Sequence, residues 1–322
     1  MRECHFFSIA VDTARFRNEH LISCIGRFCF DNRALEIPLF IQTCSVSSGI
    51  DLARFVFEKL KERNVMFERF VSIAKDGAAN MLGKSNGMAS YFKTLVKQNL
   101  RDNHSPSPPM HSVWCFAHRL NLVTKTFLTM KPANAVLSFS DWFSNKRRQV
   151  AYKRFLIQTK RPPVKVIPQP SDTRWFFYRD VLRAILAQTE SVEAFVLDDE
   201  DFADFWNSLR REWEKLDPCV QNEFSFDNPI IKATFGFTLE ILDLLCRVNT
   251  VFQKRLRSVS QMWYIVQSLK RKSTSLIIQT RFWSSNELEC LNGLSVDEVR
   301  DFQMILTELF DCLETRFQCP ST

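Results

Sequence analysis

The chain is poor in glycine and has no long hydrophobic run. Its 322 residues include only 7 glycines, which argues against a glycine-rich all-β fold. No stretch approaches the roughly 20 consecutive apolar residues that a membrane-spanning helix needs. The opening residues, Met-Arg-Glu-Cys-His, lack the basic segment and the long apolar core of a signal peptide. We therefore expect a soluble protein with no membrane partner.

Common enzyme motifs are also missing. The sequence has no glycine-rich phosphate loop, no nucleophile elbow and no dinucleotide-binding fingerprint. Its 10 cysteines are scattered, mostly within apolar runs, and none forms a C-x-x-C pair. This pattern is typical of reduced, buried thiols in an intracellular protein, and no complete zinc finger is present.

Phenylalanine and positive charge are what the chain has in excess. The 30 phenylalanines and a hydrophobic fraction of 45% predict a packed interior rather than long disorder. The net charge is +7 and the isoelectric point is about 8.9. This charge fits an anionic partner, and it fits a basic protein without such a partner equally well.

The first part of the chain carries strand and helix patterns in turn. Apolar runs bounded by turn residues predict strands at 5–12, 19–30, 34–44, 65–75 and 110–116. Helical spacing of apolar residues predicts helices at 49–63 and 79–98, and another after the fifth strand. Three sequential strands followed by helix-separated strands resemble the ribonuclease H-like fold. The predicted class is therefore α/β, with a mixed five-stranded sheet and flanking helices.

Beyond residue 130 the predicted strands stop. Helical periodicity covers the segments 133–157, 174–196, 201–216, 231–256, 258–279 and 295–317. Prolines predict a linker between the first two of these helices. We expect three parts, a ribonuclease H-like core over 1–160, a linker over 161–173 and part of an all-α helical insertion over 174–322.

Two aspartates follow apolar runs in the predicted core. Asp12 ends the run at 6–11, and Asp76 ends the strand pattern at 65–75. In a ribonuclease H-like sheet, the acid on the first strand and the acid after the fourth strand point into a shared site. Asp12 and Asp76 are therefore candidate catalytic residues and Mg²⁺ ligands of a two-metal phosphoryl-transfer site. Aspartate is also common where strands turn, and two inherited acids in an inactive site fit the same pattern.

Four short motifs follow one another along the chain. They are Ser-Ile-Ala-Val-Asp at 8–12, Asp-Gly-Ala-Ala-Asn-Met at 76–81, Trp-Cys-Phe-Ala-His-Arg-Leu-Asn-Leu at 114–122 and Ser-Asp-Thr-Arg-Trp at 171–175. In this order they resemble the two acidic motifs, the C-x-x-H signature and the Arg-Trp motif of the hAT-type DNA transposases and their domesticated vertebrate descendants. Beyond residue 175 the resemblance to the family's helical insertion rests mainly on helical pattern.

The resemblance also implies features that the sequence does not show. The family carries a BED finger before the first strand, a third catalytic glutamate after the insertion and a C-terminal dimerisation segment, and none is recognisable here. The residues after Asp12 also lack the family's serine, threonine and acidic run. An active site would need its third acid from a helical glutamate such as Glu287, Glu289 or Glu308. Mg²⁺ is the cofactor implied in that case, and none is expected otherwise.

Cys115 and His118 stand at C-x-x-H spacing. They provide half of a zinc site, which needs four protein ligands or three and a water, and His104 and His111 are the nearest further candidates. The alternative is a structural pair, with Cys115 buried and His118 hydrogen-bonded near the acidic site. The resemblance to active relatives leaves a substrate-contacting role for His118 open.

Two further groups predict contact with nucleic acid. Arg174 and Trp175 resemble a pair that contacts DNA in the active family, where an indole stacks on an exposed base. A tryptophan packed at the start of a helix gives the same pattern. Lys146, Arg147 and Arg148 fit a phosphate-binding surface, a nuclear-import signal or the solvated face of one helix.

The sequence thus predicts a transposase-derived protein that is catalytically inactive and retains binding to DNA or to other nuclear proteins. Its predicted location is nuclear, or otherwise cytoplasmic. One alternative is an active metal-dependent strand-transfer or nuclease enzyme, which needs the third acid. Another is a protein-interaction scaffold that binds no nucleic acid. The sequence does not predict an oligomeric state.

Overall fold

One mixed sheet of five strands lies in the first part of the chain. The computed structural model describes residues 6–16, 19–30, 33–45, 48–76, 81, 87–162, 177–213, 224–253, 261, 264–272 and 296–317. The strands are β1 (Phe6–Phe16), β2 (Glu19–Phe30), β3 (Arg33–Cys44), β4 (Phe70–Lys75) and β5 (His111–Trp114). Their order across the sheet is β3-β2-β1-β4-β5. β2 is antiparallel to β1 and β3, whereas β4 is parallel to β1 and β5. This is the arrangement of a ribonuclease H-like sheet, so the predicted fold class is confirmed.

β1 shows why these segments form strands. Phe7, Ile9 and Val11 are buried, whereas the alternate residues Ala10 and Asp12 are exposed, as the two-residue period of a strand requires. The buried face belongs to an apolar core that two helices complete. They are α1 (Gly49–Lys61) and α2 (Met88–Asp102). The candidate residue Asp12 therefore lies on the face of β1 opposite this core.

Aromatic contacts join both helices to β4. The ring centroids of Phe57 in α1 and Phe67 lie 4.9 Å apart, and those of Phe70 in β4 and Phe92 in α2 lie 5.3 Å apart. Phe67 belongs to a 3₁₀ turn that precedes β4, so the strand begins at Phe70 and not at the predicted residue 65. This turn brings Phe67 against the rings of both helices. The predicted helix over 79–98 continues to Asp102, although 79–80 and 82–86 lie outside the described residues.

Helices make up the described chain after β5. They are α3 (Phe116–Thr129), α4 (Lys131–Ser144), α5 (Lys146–Gln158), α6 (Phe177–Leu186), α7 (Thr189–Asp198), α8 (Phe202–Trp213), α9 (Pro229–Phe252), α10 (264–272) and α11 (Val296–Arg316). The described residues of this region include no strand, in agreement with the predicted all-α insertion. Within the described ranges, no helix combines the length and hydropathy needed to cross a membrane.

Two of the predicted helices are each divided in two. The segment 133–157 breaks at Asn145, whose Oδ1 accepts the Arg147 amide at 2.9 Å and so begins α5. The segment 174–196 breaks near Gln188, between α6 and α7. The apolar periodicity continues across both breaks, so the pattern alone predicted single helices.

Phe139 of α4 is the centre of the aromatic core of the helices. Six ring centroids lie 5.1 to 6.3 Å from its own, those of Trp142, Phe143, Phe202, Phe224, Phe226 and Phe235. Such ring pairs contribute about 0.5–1.5 kcal/mol each beyond the burial of their area. The excess of phenylalanine is therefore used as core packing in this region.

The chain divides into two compact units between Arg119 and Leu120. We call the described residues up to Arg119 the sheet unit and those from Leu120 onwards the helical unit. The division falls well before residue 160 because α4 packs against α5, α6, α8 and α9. The predicted limits 1–160, 161–173 and 174–322 therefore do not coincide with these units, and residues 163–173 of the predicted linker lie outside the described residues.

Candidate functional site

The strand register brings Asp12 and Asp76 to the same edge of the sheet. The parallel pairing of β1 and β4 ends at Ala10 and Ala74, two residues before each aspartate. β1 itself continues to Phe16, because it still pairs with β2 there. Asp12 therefore lies inside the strand, whereas the sequence pattern had placed it at the strand's end. The sheet is nevertheless open beside Asp12, on the side where β4 has ended. We call Asp12 and Asp76 the carboxylate edge.

The two carboxylates are close enough for their charges to repel. Desolvation of the carboxylate raises the pKa of Asp12 above its usual value, and the charge of Asp76 raises it further. The Thr13 amide, which donates to Asp12 Oδ1 at 2.9 Å, and the charge of His118 lower this pKa. The Asp12 residue as a whole stays exposed. The edge therefore presents excess negative charge to solvent, where a cation can neutralise it.

The C-x-x-H motif is hydrogen-bonded to the end of β4, next to the carboxylate edge. The Cys115 amide donates to the Lys75 carbonyl at 2.9 Å, and the Cys115 carbonyl accepts the Arg119 amide at 3.0 Å at the start of α3. Burial raises the pKa of the Cys115 thiol, two amides in the first turn of α3 lower it, and the carboxylate edge raises it again. Cys115 thus interacts electrostatically with both aspartates, and His118 interacts with Asp12. Cys115 is half-buried, whereas the alternative of a structural pair had it buried.

Arg119 is a residue of this region that the sequence did not single out. Its guanidinium carbon lies 4.9 Å from the ring centroid of Trp114 and 5.8 Å from that of Phe116. Burial lowers the pKa of Arg119, and its Nε and the Trp114 Nε1 are buried without a hydrogen-bond partner. Cation–π contacts with both rings partly offset the lost hydration. The only signal in the sequence was the position of Arg119 inside the C-x-x-H motif.

Asp12 and Asp76 are suited to hold Mg²⁺. Carboxylate oxygens are the ligands that this ion prefers, and it usually keeps several waters. In the described part of the chain, no group of three or more His, Cys, Asp or Glu side chains is placed to hold a metal ion. Of the candidates for a third acid, Glu308 is exposed on α11 in the helical unit, whereas Glu287 and Glu289 lie outside the described residues. Within the described residues, Asp12 and Asp76 are therefore the two carboxylates that this edge offers to a cation.

The further zinc ligands considered from sequence are both exposed. His104 has a positive φ of 53° in the loop after α2, and His111 begins β5. The described groups include no set of three that could complete a site with Cys115 and His118. Instead, the Cys115 amide is hydrogen-bonded to the end of β4, and both members of the pair interact electrostatically with the carboxylate edge.

Lys146 and Arg147 are exposed in the first turn of α5. Together with Val150 and Arg154, they line a surface depression of about 620 Å³. Cations at a helix N-terminus oppose the helix dipole, so they cost stability unless an anion lies nearby. Arg148 differs, because its guanidinium carbon lies 4.0 Å from the Trp142 ring centroid and its Nη2 lies 3.7 Å from the Asp201 carboxylate. Two of the three predicted cations are thus presented to solvent.

Arg174 and Trp175 lie outside the described residues, so their predicted contact with DNA stays a prediction. The segment that contains them precedes α6, whose first residue, Phe177, is buried.

Comparison with known proteins gives little that bears on function. No protein-family model matches the chain. Among solved structures, the chain is similar to the Drosophila P element transposase strand transfer complex, with 10% sequence identity and a TM-score of 0.25 over 98% of this chain and 67% of that chain. A likeness at this level does not indicate an activity for this chain.

Proposed function

We propose that the chain is a transposase-derived, hAT-like protein that binds nucleic acid and does not cut it. The observation that carries the proposal is the carboxylate edge, where two acids meet at the open end of a ribonuclease H-like sheet. Like charges held together are unfavourable, and they are typical of sites in which a cation and its anionic substrate neutralise them. The four hAT-like sequence motifs support the same origin.

The chemistry of the edge points to phosphodiesters. Mg²⁺ held by Asp12 and Asp76 would supply a positive centre for the oxygens of a phosphate group. The role of the chain is to orient the two carboxylates, which the β1–β4 register and the Thr13 amide do. Nucleic acid is the abundant anion whose backbone can lie along such an open sheet edge, and the net charge of +7 favours its approach.

Cutting requires more than these two acids. Phosphoryl transfer depends almost entirely on positioning and on the compensation of charge, and two divalent ions carry four positive charges. Two carboxylates compensate half of that charge. The described residues supply no third carboxylate at this edge. A site with two carboxylates is therefore better suited to binding nucleic acid than to cleaving it.

The exposed cations of α5 give a second contact with the nucleic-acid backbone. Lys146 and Arg147 are exposed and can reach phosphates. Arg148 instead contacts Trp142 and Asp201, which hold α5 against the rest of the helical unit. The same basic run would serve for import into the nucleus, which is the compartment that we propose for the protein.

The experiment is a cleavage and binding assay on one substrate. A labelled DNA hairpin is incubated with the wild-type protein in Mg²⁺ or Mn²⁺, beside the Asp76→Asn variant, and binding is measured at rising salt. We expect no cleavage by either protein and salt-sensitive binding by both, because each neutralised phosphate contributes a slope of about −0.9 in log K against log salt.

Two results would overturn the proposal in different ways. Metal-dependent cleavage that the Asp76→Asn substitution abolishes would mean that a third acid completes the site and that the protein is an active nuclease or strand-transfer enzyme. Failure of the wild-type protein to bind DNA or RNA at low salt would leave a protein-interaction scaffold as the function.

A further inference from the structure

The two helices that cover the sheet core arrange their charged residues differently. α1 contains acids and bases in turn, and they pair, since Lys59 Nζ lies 2.8 Å from Glu62 and Arg54 lies 3.8 Å from Asp51. α2 has no acid before its last residue, Asp102, and its charged side chains up to that point are all cations. Up to Arg101 the charged residues of α2 are thus all positive, whereas those of α1 are of both signs.

The cations of α2 form one row that starts at the end of β4. The members of the row are Lys75, Lys93, Lys97 and Arg101, which we call the basic ridge. The last three are spaced by four residues, so they lie on one side of α2 with a rise of about 6 Å from each to the next. Because β4 and β5 are parallel, α2 runs back from the carboxyl ends of the strands. The row therefore begins beside Asp76 and leads away from the carboxylate edge.

The contacts of β4 with α2 fix the start of the row. Phe92, the neighbour of Lys93, packs its ring 5.3 Å from that of Phe70 in β4. Lys75 and Lys93 are half-buried, whereas Lys97 and Arg101 are exposed. Within the described residues, no side chain of the ridge forms a hydrogen bond or an ion pair.

The members of the ridge repel one another. Burial lowers the pKa of Lys93, and the charge of Lys97 lowers it further. Lys75 lies near enough to Lys93 for the two positive charges to interact. Three ammonium groups are thus held close together although the neighbouring helix α1 shows that acids are accommodated on this layer. An external anion with several negative charges would relieve this repulsion.

We propose that the basic ridge binds the sugar–phosphate backbone of a nucleic acid and guides it to the carboxylate edge. This inference rests on the proposed nucleic-acid binding and assigns it a further surface, which lies in the sheet unit beside the carboxylate edge. Successive cations about 6 Å apart meet successive phosphates of one strand, and the contact is with phosphate, so it is independent of base sequence.

The test compares two double variants of equal net charge. Lys93→Gln/Lys97→Gln removes two charges from the ridge, and Arg54→Gln/Lys61→Gln removes two from α1. Each protein is titrated with a fluorescent 20-base-pair DNA duplex over a range of salt. We expect the ridge variant to bind more weakly and its salt slope to fall by about 1.8, which is two phosphate contacts. The α1 variant should keep the wild-type slope.

The arginine variant Lys93→Arg/Lys97→Arg keeps the charge and should restore the slope, which separates phosphate binding from a fault in folding. The ridge proposal is wrong if the ridge variant binds like the wild type, or if the α1 variant loses as much affinity and salt slope as the ridge variant. In either case the proposed function still stands. If the wild type binds neither this duplex nor any other DNA or RNA at low salt, both the ridge proposal and the proposed function are wrong.

Discussion

Both units of the chain contain ion pairs, but they differ in which like charges lie close enough to repel one another. In the helical unit, Arg183 donates to both carboxylate oxygens of Asp243 at 2.7 and 2.8 Å, and Lys270 lies 2.7 Å from Glu314. The sheet unit also contains ion pairs, on α1 and between β2 and β3. Its carboxylate edge and basic ridge, however, bring together charges of the same sign.

This difference separates charges that stabilise the fold from the charges that we propose to bind a ligand. A paired charge is neutralised inside the protein, so removing one partner weakens the fold. Like charges held in proximity weaken the fold themselves, and their removal should strengthen it. The sign of a stability change therefore reports which kind of charge a residue carries.

The largest effect should come from the aromatic cores, which allow each unit to be followed separately. Phe139→Ala in the helical unit and Phe92→Ala in the sheet unit should each cost about 3–5 kcal/mol, because each removes a fully buried ring. Urea unfolding followed by circular dichroism measures both. The control Phe6→Ala removes an exposed ring and should change stability by less than about 0.5 kcal/mol. Equal shifts of one shared transition would show that the units do not unfold separately.

Two matched aspartate substitutions should then give opposite signs. Asp243→Asn should lower the free energy of unfolding by about 1 kcal/mol, because Arg183 loses a charged acceptor. Asp12→Asn should raise it at pH 7 by a smaller amount, because the repulsion by Asp76 disappears while Oδ1 still accepts the Thr13 amide. Thermal melts of both variants measure the difference. A loss of stability at Asp12 would contradict the like-charge interpretation of the carboxylate edge.

The gain at Asp12 should depend on pH. The folded-state pKa of Asp12 is raised, so the folded protein binds the proton more tightly than the unfolded chain does. The stability that this supplies is fully present below the unfolded pKa of about 3.9 and is lost as the pH rises through the folded value. The stability gap between Asp12→Asn and the wild type should therefore open from about pH 4 upwards and then level off. A gap that stayed constant from pH 3 to pH 7 would rule out titration of Asp12 as its cause.

The smallest effects should distinguish the two helices of the sheet unit. Lys59→Gln on α1 removes an exposed pair with Glu62 and should cost about 0.2–0.5 kcal/mol. Lys93→Gln on α2 relieves repulsion by Lys75 and Lys97 and should cost nothing or increase stability slightly. Differential scanning calorimetry at low salt, where repulsion is least screened, resolves such differences best. A larger loss at Lys93 than at Lys59 would mean that Lys93 is paired within the fold.

Much of the fold could be predicted because its signals are local. The three leading strands and α1 follow from apolar runs and helical spacing, and their bounds agree with the structure within a few residues. The main errors have local causes that the pattern hides. The 3₁₀ turn at Phe67 means that β4 begins later than predicted, at Phe70. Asn145 divides one predicted helix in two although the apolar periodicity continues across it.

The candidate site could be predicted only in part. Asp12 and Asp76 stood out because each follows an apolar run, and Cys115 and His118 because of their spacing. Arg119 and the basic ridge did not stand out, because single cations on a helix usually belong to its solvated face. Their significance depends on what surrounds them, two aromatic rings for Arg119 and like charges for Lys93.

By itself the sequence determined the succession of strands and helices, the excess of aromatic core residues and the two acids that end apolar patterns. These properties depend on neighbours along the chain. Only the tertiary structure decided that Asp12 lies inside a long strand yet near Asp76, and that Arg148 contacts Trp142 while Lys146 is exposed. It also decided that the cations of β4 and α2 lie close together. The physical reason is that electrostatic energy depends on distance through space, and strand register and packing set that distance between residues far apart in sequence.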